Sequence, residues 1–220
     1  MPDSFVIAID GPAASGKSSV SKLLSRRLHC SHVNSGALYR AATWGILATG
    51  ADPADPAATA AAARALQLDC TPAGSSFKIL VNGLDPGVHL RDAAVAASVS
   101  AVSSVAAVRD ILTALLRRMA DGRSLIMEGR DIGSVVFPET PYKFYIDASE
   151  SVRLSRRLAQ GETDSPLSRD KQDSTRKTAP LKIADDALVI DSTHLGLEEV
   201  VSQVLAHLQA KGLVLPSPEA

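Results

Sequence analysis

Cysteine is scarce in this chain, with only Cys30 and Cys70 among 220 residues. They stand without C-x-x-C spacing, which favours free thiols over a disulfide or a metal site. Both read as free thiols. The five histidines, at 29, 32, 89, 194 and 207, show no metal-ligand spacing. Charge of one sign is also missing: the net charge is −1. No global field therefore draws in a nucleic acid polymer or an anionic membrane, and any positive field has to be local. There is no run of about 18 apolar residues to span a bilayer. The opening MPDSFVIAID has no basic stretch and no cleavage site, and it enters a strand pattern at once. It is not read as a signal peptide, and a cytoplasmic location is expected. No internal repeat is visible. With 45% hydrophobic and 21% charged residues, the chain has the composition of an ordinary soluble globular protein. Its length suits one α/β core with small excursions, a single domain over 1–220.

What is present begins near the N-terminus. Gly11, Pro12, Ala13, Ala14, Ser15, Gly16, Lys17 and Ser18 fit G-x-x-x-x-G-K-[ST], the P-loop pattern. The context fits too. Phe5 to Ile9 reads as a buried strand, and Val20, Leu23, Leu24 and Leu28 recur at helical spacing. Strand, glycine-rich turn and helix are what phosphate binding needs. Backbone N–H groups converge on phosphate oxygens, and the helix N-terminus adds partial positive charge. Lys17 would reach the outer phosphates, and the Ser18 hydroxyl suits a Mg²⁺ ion.

Further strands are expected at 32–34, 124–128, 143–147 and 187–191. Helices are expected over 17–28, 36–48, 54–65, 90–99, 103–120, 149–160, 166–178 and 197–211. This alternation predicts an α/β fold, a parallel sheet with helices on both faces. Ligands of such sheets sit at the C-terminal strand ends. Two regions depart from the alternation. LQLDC, FKILV and GVHL, within 66–91 and punctuated by turn dipeptides, predict a small antiparallel meander. Residues 161–180 are polar with few core positions, which predicts a mobile lid. The end, LVLPSPEA, reads as a frayed tail.

A P-loop alone does not separate one phosphate-handling activity from another. Three further motifs do: Asn34-Ser35-Gly36-Ala37-Leu38-Tyr39-Arg40, then Glu128-Gly129-Arg130-Asp131-Ile132-Gly133, then the run Arg169 to Arg176 (RDKQDSTR) followed by Ala179-Pro180-Leu181. Together with GPAASGKSS they closely resemble the bacterial-type cytidylate kinases, over about residues 5 to 205. The resemblance implies a P-loop NTPase-like fold with a monophosphate-binding region over 35–110 and the lid at 161–180. It implies transfer of the ATP γ-phosphoryl group to CMP or dCMP, with Mg²⁺ as cofactor, small molecules as partners and a monomer as the default state. In this family the carboxylate at Glu128 is often an aspartate, which leaves the role of the longer side chain open.

Residue by residue, the resemblance implies that Lys17, Arg130, Arg169 and Arg176 are catalytic. ATP would be held by 11–18 together with Ser19, Arg153 and Arg157, and the metal by Ser18. CMP would be held by Ser35, Gly36, Tyr39, Arg40, Ser100, Arg109, Arg130, Asp131, Arg169, Asp173 and Arg176. The chemistry is coherent. Bringing two phosphate-bearing anions together requires several cations, and the arginine fork binds phosphate oxygens in pairs. Arg169, Asp173 and Arg176, at i, i+4 and i+7, would share a helix face. A carboxylate such as Asp131 accepts from the cytosine N4 amino group and opposes the uracil O4. A solvated helix face remains the alternative for Arg153 and Arg157, and a helix-packing role for Ser100. Asp10 could orient Lys17 or the metal's water shell, or be a plain strand-end carboxylate. The competing activities are a UMP or dTMP kinase, against which Asp131 and Arg109 argue, and a nucleotide-dependent switch, whose NKxD base motif is missing.

Overall fold

The computed structural model describes residues 4–159, 170 and 181–216, and its contacts divide the chain into two compact units. One comprises residues 1–33 and 122–220, the other 34–121.

The first unit is built on a five-stranded sheet. Its strands are β1 (Val6–Asp10), β2 (Ser31–Asn34), β5 (Leu125–Gly129), β6 (Tyr142–Asp147) and β7 (Leu188–Asp191), in the order β2-β5-β1-β6-β7. β1 pairs in parallel with β5 and with β6, and β6 pairs in parallel with β7. The central strands are apolar on both faces, as parallel strands covered on both sides must be. Ile7, Ile9, Ile126, Phe144, Ile146 and Ile190 share one face. They are covered by α1 (Lys17–Arg27), through Val20, Leu24 and Leu28, and by α7 (Leu197–Ala210), through Val200, Val201, Val204 and Leu208. The opposite face carries Ala8. Gly133, in a π-helical turn over Ile132–Val136, packs there, where a Cβ would meet the Lys143 side chain at 3.2 Å and the Ala8 Cβ at 3.5 Å. The last helix of this unit before the undescribed segment is α6 (Glu150–Ala159).

The second unit holds α2 (Ser35–Ala48), α3 (Pro56–Ala65), α4 (Ala93–Ser104), α5 (Ala106–Met119) and the hairpin of β3 (Leu68–Ala73) with β4 (Ser76–Val81). Caps set the helix starts. The Asn34 side chain accepts from the Ala37 N–H at 2.9 Å, and Asp55 accepts from Ala57 and Ala58 ahead of Pro56. Gly45 allows α2 to meet β4 and the end of α3, because a Cβ there would lie 2.6 Å from Val81 Cγ1.

Two expectations are corrected here. The meander has two strands and no third: GVHL lies in a 3₁₀ turn, Gly87–Arg91, closed by the His89 N–H on the Pro86 carbonyl at 2.8 Å. Val81 and Leu84 instead close a tight turn through Asn82 and Gly83, both at positive φ. The helices expected over 90–99 and 103–120 are divided elsewhere, at Val105, which is extended at φ −77, ψ 119. The helix expected over 166–178 and the lid fall outside the described residues, Asp170 excepted. Among the described residues no single helix is long and apolar enough to cross a membrane. Cys30 and Cys70 are free thiols, and burial pushes them up to about 12 and about 11, so both stay protonated and unreactive.

Candidate active site

The C-terminal ends of β1, β5, β6 and β7 share one edge of the sheet, and the first unit gathers its polar residues there. β1 runs directly into the glycine-rich loop. Gly11 stands at φ +154, where a Cβ would lie 2.1 Å from the Ile146 carbonyl oxygen on β6, so no other residue fits. Gly16, at φ +96, caps α1 in the left-handed region. Lys17 and Ser18 then fall in the first turn of α1. Lys17 Nζ donates to the Pro12 carbonyl at 2.9 Å, turned back over its own loop. Desolvation, with the Arg130 charge beside it, pulls its ammonium down to about 7.

The two acidic strand residues at this edge, Asp10 and Glu128, point to opposite faces. Asp10 ends β1, and its two oxygens accept from the Ile132 and Gly133 N–H groups, each at 2.8 Å. This ties the turn after β5 to the start of the loop. Burial raises its pKa to about 6 despite those bonds. Asp10 is therefore an anchor. Glu128 pairs in register with Ile9, so it faces α1, as side chains alternate along a strand. Its Oε2 accepts from the Ser18 hydroxyl at 2.5 Å, and its Oε1 lies 2.9 Å from His32 Nε2 on β2. Burial opposes its charge, but the His32 bond, the Lys17 charge and the Ser18 bond outweigh it and hold the carboxyl below its ordinary range.

Arg130 follows β5, and its Nη1 donates to the Gly11 carbonyl at 2.7 Å. Asp131 is buried, and its carbonyl accepts from Val135 and Val136 as the π-helical turn begins. α6 supplies a second set of contacts. Arg153 is buried and donates to the Ala13 carbonyl at 3.2 Å, to the Ala148 carbonyl at 3.2 Å and to Asp170. Asp170 in turn accepts from the Ala13 N–H at 2.9 Å, and Arg130 Nη2 stands 3.7 Å from it. Arg153 thus braces the loop's backbone, while Arg157 is half-buried beside it.

In the second unit, α2 carries the SGALYR motif. Ser35 is buried at its first turn, and the Arg40 guanidinium folds back over Gly36, 3.5 Å from where a Cβ would lie. The Arg109 guanidinium stacks on the Tyr39 ring at 5.6 Å and donates to the Ser103 carbonyl at 3.3 Å. The Ser103 hydroxyl donates to the Ser100 carbonyl at 3.2 Å. Tyr39, Arg109 and Ser100 are thus linked within this unit. Arg169, Asp173 and Arg176 lie outside the described residues.

Asp170 is given no role by the sequence reading, and three further contributors are not foreseen by it either. Arg156 donates to the Ser15 carbonyl at 3.1 Å and to the Ser192 hydroxyl and carbonyl at 3.0 and 2.8 Å, and the Ser192 hydroxyl itself reaches Ser15 at 3.0 Å. The third is His32. The sequence shows a lone histidine and a lone glutamate in two apolar strands, but not that those strands are neighbours.

Strand, glycine loop and helix with Lys17 and Ser18 define a P-loop protein. Comparisons with known proteins narrow the class. A family model described as cytidylate kinase matches residues 7–210. A cytidylate kinase from Rhodococcus opacus is 42% identical over 216 residues, 92% of this chain and 93% of the relative. One from Limosilactobacillus reuteri is 38% identical over 210 residues, 90% of this chain and 92% of the relative. The solved gluconokinase from Sinorhizobium meliloti shares the fold, with TM-score 0.51 at 14% identity over 95% of this chain and 93% of its own. The chain belongs to the cytidylate kinase family. It is an enzyme that phosphorylates a nucleoside monophosphate, and its substrates are small nucleotides.

Proposed function

We propose that the protein transfers the γ-phosphoryl group of ATP to CMP and dCMP, giving CDP and dCDP. The carrying observation is the loop itself, with Lys17 and Ser18 at the α1 N-terminus and Ser18 bonded to Glu128. The backbone of 11–19 would cradle the donor phosphates, with Arg153 and Arg156 keeping its carbonyls turned away from them. Lys17 leaves the Pro12 carbonyl for the outer phosphates and regains its full charge there. The residues fit a Mg²⁺ ion: Ser18 and Glu128 present hard oxygen donors beside the loop, of the kind that holds magnesium with substrate phosphates and water. When bound, the ion neutralises charge on the donor phosphates.

No general base is needed, because the acceptor phosphate is already ionised near neutral pH. Catalysis is positioning and charge neutralisation of an in-line transfer. On the family resemblance, Lys17, Arg130, Arg169 and Arg176 meet the developing charge. Ser35, Gly36, Tyr39 and Arg40 hold the monophosphate end of CMP, and Arg169 with Asp173 reads the sugar. Ser100 and Arg109 donate to the O2 and N3 side of the base, and Asp131 accepts from N4. Incubation with ATP, Mg²⁺ and CMP should yield CDP and ADP in equal amounts by chromatography. ADP formed without CDP would overturn the reading. Asp131→Asn should lower the CMP to UMP ratio of kcat/KM by about ten- to a hundredfold, the scale of one charged hydrogen bond. An unchanged ratio would move base reading elsewhere.

A further inference from the structure

His32 has no part in the transfer as described, yet it is buried at 9% exposure on β2, where burying an imidazole costs solvation unless it is bonded. Its partner is Glu128 on the neighbouring strand β5, itself only 2% exposed. The carboxylate divides its oxygens: Oε1 stands 2.9 Å from His32 Nε2, and Oε2 takes the Ser18 hydroxyl at 2.5 Å. An ionised carboxylate is an acceptor only, so the imidazole donates from Nε2 and the serine donates its one proton. With that proton committed to Glu128, the lone pairs of the Ser18 oxygen are turned away from it. A glutamate carboxylate sits at the end of three rotatable bonds, so its orientation has to be held.

We propose that His32 is a positioning residue: its Nε2–H fixes Glu128 so that Glu128 accepts the Ser18 hydroxyl's hydrogen bond and leaves the lone pairs of the Ser18 oxygen oriented to ligate the divalent cation. This rests on the reading of Ser18 as a metal ligand. A neutral imidazole with its proton on Nε2 suffices, and no charge on His32 is involved. Partners that orient a ligand in this way are typically worth about 10–100-fold in metal affinity.

The test measures Mn²⁺ binding to the full-length protein with ADP, by electron paramagnetic resonance, alongside ADP binding in EDTA. His32→Leu should weaken Mn²⁺ by about 10–100-fold and leave ADP binding in EDTA unchanged. His32→Gln, which restores an N–H donor at similar reach, should return Mn²⁺ affinity to within a few-fold of wild type. In a Glu128→Gln background, His32→Leu should add no further loss. Wild-type Mn²⁺ affinity in a folded His32→Leu would overturn the proposal, as would an equal loss of ADP with and without metal. If His32→Leu does not fold, a folded His32→Gln that loses Mn²⁺ affinity tenfold overturns it in its place. Ser18→Ala separates the two levels. Weakened Mn²⁺ there with an unaffected His32→Leu overturns only the role of His32, whereas an unaffected Ser18→Ala overturns the metal-ligand reading and this inference with it.

Discussion

Lys17 rests on the Pro12 carbonyl with its ammonium pulled down to about 7. That position wastes no strong ion pair, so the side chain can move to an anion at little cost. Replacing Lys17 by Ala should lower kcat by about 10²–10³, the scale for one preorganised electrostatic group, while CMP binding by calorimetry stays unchanged. Near-normal turnover would remove Lys17 from the mechanism. Asp10 offers a different check. Burial raises its folded pKa to about 6, above the ordinary aspartate value of 3.8. Between those values the folded chain holds the proton and the unfolded chain does not, so this group favours folding more as pH falls. Asp10→Asn lacks the titration. Urea unfolding across a pH series should show the wild type gaining on the variant as pH drops from about 6 to about 4. A constant difference would mean that Asp10 titrates as it does in the unfolded chain.

At the scale of elements, α6 is a brace for the glycine loop. Arg153 and Arg156 lie at i and i+3, and both hold loop carbonyls, at Ala13 and Ser15. The sequence places arginines at 153, 156 and 157 but does not show which of them reach the loop. Arg156→Met should raise KM for ATP by about tenfold or more, the scale of a hydrogen bond to a charged group, and leave KM for CMP unchanged. An unaltered KM for ATP in steady-state kinetics would reduce Arg156 to packing. The misplaced helix break has a similar physical origin. Neither Gly nor Pro marks Val105, but the Ser103 and Ser104 hydroxyls bond back to the Ser100 and Ala101 carbonyls, which competes with helix continuation. GVHL looked like a strand because Val88 and Leu90 alternate, yet Val88 is 83% exposed and Pro86 starts a tight local turn instead. The loop between β1 and α1 was legible because its chemistry needs glycine at two fixed backbone conformations, which few other sequences satisfy.

For the whole molecule, the parallel sheet could be read from the short apolar strands, each followed by helical periodicity, and the glycine loop marked its ligand edge. The pairing of Glu128 with His32 could not, because it depends on strand order, with β2 next to β5 and not next to β1. The proposed acceptors are the cytidine and deoxycytidine monophosphates. The most direct measurement compares kcat/KM for ATP-dependent ADP release with CMP, dCMP, UMP, AMP and dTMP as acceptors. CMP or dCMP should exceed UMP by about a hundredfold, the discrimination available when a carboxylate faces the wrong exocyclic group. ADP release that is independent of acceptor, or highest with UMP, AMP or dTMP, would contradict it.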